Sequence, residues 1–153
     1  MIRTRSVLRR RREISRTRKI RSPILRGPRT GVKAQEVAAD GAPRPRRVGF
    51  WRDPDNPQTA EWPNPHDWVD PAWDPAERAA VIEYLERGSY GIPAMGYSWC
   101  RFRCGIPDRE MGSQDGTDGV YVWPEGLTHY LRAHDVKPPE EFLEHVRRRL
   151  QNR

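Results

Sequence analysis

A chain of 153 residues with a formal net charge of +7 is long enough for a single core, but its charge is unevenly spread. Residues 1–48 hold 16 Lys and Arg against 3 acidic residues, a net of +13, while residues 49–153 hold 12 against 18, a net of −6. The basic character is therefore an attribute of the first part and says little about the partners of the rest. Two cysteines exclude a disulfide framework, and no apolar run reaches the length of a membrane-spanning helix. The first residues lack the apolar segment of a secretory signal, so a reducing, cytoplasmic setting is expected.

Residues 1–48 contain no aromatic side chain, and their apolar residues are scattered around the run Arg9-Arg10-Arg11-Arg12. Like charges at this density repel, and the apolar area is too small to offset chain entropy, which predicts a disordered basic tail. Three readings of it stay open. It is an arm for nucleic acid or an acidic protein surface, binding phosphates through counterion release and, without aromatics, unspecifically. It is an organellar transit peptide. Or it is upstream sequence read from a start codon placed too early. On any of these the domain is expected to need nothing before Val48. No membrane partner is expected, and the oligomeric state is open.

Residues 49–73 hold five Pro and five aromatic residues. Each Pro fixes φ and pushes the preceding residue out of the helical region, so an extended segment is predicted. Trp51, Trp62, Trp68 and Trp73 are costly to leave in water and are expected to wrap it onto the domain. Residues 74–88 then read as the clearest helix. Asp74 suits the N-cap, Pro75 the first helical position, and Glu77 the other half of a capping box. Ala80, Val81, Tyr84 and Leu85 make its core stripe, and Gly88 its left-handed C-terminal cap.

Residues 97–103 have strand composition, 105–118 read as a long Gly- and Asp-rich loop, and 119–123 as a second strand pairing antiparallel with the first. A helix is predicted from Pro124, with Glu125 in its first turn and Leu127, Tyr130 and Leu131 buried. A last helix starts at Pro139, with Phe142, Leu143, Val146 and Leu150 inward. His145, among Glu144 and the arginines, is expected to be solvated, and His66 to have no partner.

Two Cys followed by two His is a ligand set for structural zinc, and Cys100, Cys104, His129 and His134 supply it. In an unbroken strand Cys100 and Cys104 would lie about 13 Å apart, so they can share a metal only if the chain turns, as Gly105 and Pro107 allow. His129 and His134 are about 140° apart around a regular helix, so His134 must turn in where the helix ends. The alternatives are a pair of buried cysteines with two ordinary histidines and, disfavoured by a reducing compartment, a disulfide. Acid–base chemistry would have to come from Glu110, Asp118, Glu125 and His129 around the 105–118 loop. No nucleophile elbow, phosphate-binding loop or zinc-protease helix motif is present, and no catalytic residue is assigned.

The blocks SWCRFRCG, TDGVYVWPEGLTHYL and PPEEFLEHV resemble a group of small bacterial proteins with a WCRxCG-like turn and a TDGxYVWPEGLxHY block. The resemblance covers roughly residues 49–147. It implies one domain there and carries no activity or ligand assignment. The resulting expectation is a small α+β domain, three helices around a two- or three-stranded antiparallel sheet. Its expected function is non-enzymatic, zinc-stabilised and interaction-mediating; the alternatives are a nucleic-acid-associated protein and a small enzyme using the 105–118 loop.

Overall fold

The structure, a computed structural model, describes residues 43–152 apart from Ile92 and Ala94. These form an α+β fold of four short strands and three helices. The strands are β1 (Arg46–Arg47), β2 (Ser89–Tyr90), β3 (Asp115–Thr117) and β4 (Tyr121–Pro124). The helices are α1 (Pro75–Glu86), α2 (Leu127–His134) and α3 (Glu140–Gln151). The strand order is β1-β4-β3-β2, with β1 parallel to β4 and the other pairs antiparallel. The sheet is thus four-stranded and mixed, where the sequence predicted two or three antiparallel strands. Two of the added strands have two residues each, too short to carry an alternating pattern.

The predicted strand over 97–103 is absent. The Arg103 amide donates to the Cys100 carbonyl at 2.9 Å, and Arg103 itself has φ of 51°, so the chain turns within that stretch. β4 pairs instead with β3, drawn from the segment expected to be a loop. The glycine that made β3 look like a loop is required there. Gly116 faces Trp123 across the ladder, and a Cβ on it would lie 2.5 Å from the indole Nε1. Gly88 has the same role: it lacks the positive φ of a left-handed cap, and a Cβ there would strike the Trp123 ring. The indole is fully buried between them.

The predicted tail lies outside the described residues up to position 42, but the fold begins before Val48. The amides of Arg46 and Val48 donate to the carbonyls of Val120 and Val122 at 2.8 and 3.0 Å. Val48 is buried, and the Arg46 guanidinium lies over the Tyr121 ring and pairs with Glu141 at 2.7 Å. A chain beginning at Val48 is therefore expected to be less stable than one beginning at Pro43 by about 1–2 kcal/mol, the scale of one or two backbone hydrogen bonds. Equal urea midpoints for the two would show that β1 contributes nothing.

The proline-rich segment is not simply extended. It contains two single-turn 3-10 helices, Pro57–Thr59 and Pro65–Trp68, each with Pro in its first turn and an Asn side chain, Asn56 or Asn64, capping it. Trp51 and Trp73 enter the core, Trp51 edge-on to Tyr130. The segment's end is tied to the end of α2. The Asp70 amide donates to the Asp135 carbonyl and the Lys137 amide to the Trp68 carbonyl, both at 2.9 Å, and Arg78 pairs with the Asp135 carboxylate. Those bonds hold Asp135 in a left-handed conformation that terminates α2 at His134.

α1 starts where its sequence indicates. The Asp74 carboxylate accepts from the Glu77 amide at 2.7 Å. Glu77 does not close the box; its carboxylate accepts from the Trp73 indole at 2.7 Å and from Arg147 of α3. Asp74→Ala is expected to cost about 1 kcal/mol, the usual worth of an N-cap, read as a lower thermal midpoint. The inward faces of the elements meet at Trp123, Leu85, Leu131, Phe142 and Leu143, all fully buried. α2 begins three residues later than predicted, because Pro124 closes β4 and Gly126 takes the N-cap position.

Candidate metal centre

The turn that replaces the predicted strand is what brings the cysteines together. Within CRFRC the chain reverses at Arg103 and opens at Gly105, whose φ is 84°. The Arg101 amide donates to the Tyr130 hydroxyl at 2.9 Å, and that hydroxyl donates to the Trp99 carbonyl at 3.4 Å. Phe102 stacks flat on the His134 imidazole, with centroids 4.1 Å apart and planes within 6°, and meets His66 on another side at 4.1 Å. His66, expected to be without a partner, therefore has one. The turn sits on α2 by aromatic packing and hydrogen bonds.

Four ligand atoms converge there. Cys100 Sγ lies 3.3 Å from both His129 Nε2 and His134 Nε2, Cys104 Sγ lies 3.4 Å from His129 Nε2, and the two imidazole nitrogens are 3.2 Å apart. All four atoms fall within 4.8 Å of one another. Zn–S bonds near 2.3 Å and Zn–N bonds near 2.0–2.1 Å give tetrahedral edges of about 3.5 Å between S and N and about 3.3 Å between N and N. His134 is the last residue of α2, and its ring reaches the cluster while stacked on Phe102. The four residues are those named from the sequence, and among the described residues they are the one such group of three or more candidate ligands.

Burial perturbs three of the four candidate ligands. Burial pushes the Cys100 thiol up, while backbone N–H groups of Phe102 and Cys104 at its sulfur stabilise the thiolate against that. Burial lowers the pKa of His129 and His134, helped at His129 by the fields of His134 and Arg132 and at His134 by that of His66. Both imidazoles are therefore neutral at neutral pH, the form that binds metal. Burial also pushes the Tyr130 hydroxyl beneath the turn up to about 12, so it stays a neutral hydrogen-bonding group.

The carboxylates considered for acid–base chemistry do not assemble with His129. Glu110 is exposed and feels His129 only through its field. The Glu125 carboxylate accepts from the amides of Ser113 and Gln114 at 3.1 and 3.4 Å, holding the approach to β3. Asp118 belongs to a cluster that sequence reasoning missed. Its Oδ1 accepts from the amides of Val120 and Tyr121 at 2.8 and 2.7 Å. Its Oδ2 meets Tyr84 OH and lies 2.6 Å from His145 Nε2. His145 was expected in solvent and is buried. The signal was its spacing: three residues beyond Phe142 and next to Val146, it falls on the apolar stripe of α3. Burial would raise the Asp118 pKa, but its donors from Tyr121, Tyr84, His145 and Val120 outweigh that and bring it to about 2. Burial and Asp118 together push Tyr84 to about 12. Asp118, Arg87 and Arg149 line a cleft of about 720 Å³, yet the carboxylate in it is saturated with hydrogen bonds.

Comparison with family models, curated proteins and solved structures finds no match for this chain. No helix among the described residues is long and apolar enough to cross a membrane.

Proposed function

We propose that this is a non-enzymatic, zinc-stapled domain that acts through interactions. One observation carries the reading: two sulfurs and two imidazole nitrogens, all from protein, lie within 4.8 Å of one another, and four of their six separations are 3.2–3.4 Å, near the edges of a tetrahedral site. Four protein ligands fill a tetrahedron and leave no position for a water or substrate, which is the structural rather than the catalytic type of site. The metal would join the CRFRC turn to α2. The saturated Asp118, depressed to about 2, supports a structural role for the second polar cluster. The test is metal content after purification under reducing conditions. About one zinc per chain, lost to a strong chelator and replaced by cobalt with the visible absorption of a tetrahedral thiolate site, is the expected result. A chain that holds no zinc and takes up neither metal overturns it.

A second reading rests on the charge segregation, with 16 Lys and Arg in the first 48 residues. Those residues suit phosphate contacts without base specificity. Duplex DNA binding that falls steeply with salt in the full chain, and is lost on removing residues 1–42, supports it; equal binding by both chains counts against it.

A further inference from the structure

The four candidate ligands differ sharply in exposure. Cys100 is 4% exposed, the two histidines are partly covered, and Cys104 is exposed. Both cysteines also line an open cleft of about 380 Å³, whose walls include Trp99, Arg103 and Ile106. A site made only to hold a fold would gain from burying its thiolates. Here one cysteine is exposed and the other buried, their sulfurs within 4.8 Å of each other on the same turn. Thiolate character and access are what make a cysteine oxidisable, above all beside a resolving cysteine.

We propose that Cys104 and Cys100 form a peroxide-oxidisable pair whose conversion to a disulfide releases the metal. The proposal rests on the zinc reading above. Cys104 is the attacked residue because it is the exposed one. Its thiolate sulfur takes one oxygen of hydrogen peroxide; the O–O bond breaks, and the departing hydroxide takes a proton to become water, leaving Cys104 as a sulfenic acid. The Cys100 sulfur then attacks the Cys104 sulfur, the S–O bond breaks, and the second hydroxide leaves as water with a second proton. Two thiolates, one peroxide and two protons become one disulfide and two waters, the two electrons passing from the sulfurs to the peroxide. Disulfide sulfurs are poor zinc ligands, and the two histidines that remain make an incomplete site, so Zn²⁺ departs. The turn then keeps its packing on α2, through Phe102 and the Tyr130 hydroxyl among others, but loses the metal bridge.

The experiment treats the full-length, zinc-loaded chain with hydrogen peroxide. A chromogenic chelator follows zinc, a thiol reagent follows cysteine, and dimedone with peptide mass spectrometry traps the sulfenic acid. The expected result is one zinc released per disulfide formed, at a rate proportional to peroxide, with dimedone on Cys104 and zinc retaken after dithiothreitol. Zinc kept and thiols intact under excess peroxide overturns the proposal and leaves the zinc reading standing, as does release without a Cys100–Cys104 disulfide or with dimedone on Cys100. A reduced chain that never binds zinc overturns both.

Discussion

Cys104→Ser is expected to remove stoichiometric zinc and to lower the thermal midpoint of the domain by about 15 °C or more. A hydroxyl does not replace a thiolate at such a site, and losing only an outer partner of a metal ligand already costs about 10–100-fold in affinity. A ligand present at about a thousandfold over its dissociation constant stabilises the folded state by about 4 kcal/mol, and each kcal/mol moves the midpoint of a domain this size by about 4–8 °C. The wild-type chain with a chelator should melt at the temperature of the variant, and the chelator should leave the variant unchanged. Binding requires the thiolate form, so zinc loading releases protons and affinity falls as the pH drops. Cys104 is exposed and lies on the turn rather than in the buried cluster around Trp123 and Leu131, so the loss should be greatest in residues 97–106, read as faster amide exchange there. A variant as stable and as zinc-rich as wild type would end the proposal that these four residues hold the metal.

The second large effect is expected at Asp118. Its side chain is 9% exposed and joins the β3–β4 turn to α1 through Tyr84 and to α3 through His145. Asp118→Ala leaves two amides, a phenol and an imidazole without their acceptor, and is expected to destabilise the fold by about 3–5 kcal/mol, the range for removing one member of a buried charged network. The pH dependence is a separate readout. The folded-state pKa of about 2 lies below the ordinary aspartate value of 3.8, so this group's contribution is fully present above about pH 4 and is lost as the pH falls toward 2. A shift of that size corresponds to about 2 kcal/mol. Urea unfolding between pH 5 and pH 2 should show this slope in wild type and a shallower one in the variant. Identical slopes would show that the depressed carboxyl lies elsewhere.

Much of the fold and the site was legible where the signal is local. The N-cap of α1 follows from Asp74 and Pro75 standing before an apolar stripe, and that relation is settled within four residues. The buried faces of α2 and α3 follow from helical spacing. The four metal-ligand candidates follow from residue chemistry, since few side chains other than Cys and His make such a set. Gly105 also indicated that the chain must bend near the cysteines, although the bend centres on Arg103.

Tertiary structure alone decided the rest. β1 and β2 exist because their backbones find partners on β4 and β3, and two residues carry no periodicity to announce that. Gly116 and Gly88 read as loop and cap, but their lack of a side chain is spent on the Trp123 indole, a contact between segments far apart in the chain. His145 read as solvated because its neighbours are charged; packing of α3 against α1 and the β3–β4 turn buries it on Asp118 and Tyr84. The convergence of His129 and His134 was likewise out of reach of helical geometry. It depends on the CRFRC turn, whose Phe102 stacks on His134, and the end of α2 beside it is held by Arg78 and by the backbone of the proline-rich segment, residues 57 and 65 positions from Asp135. Ligand identity is a property of single residues and can be read from them, whereas ligand geometry is set by distant chain segments and appears only when they pack.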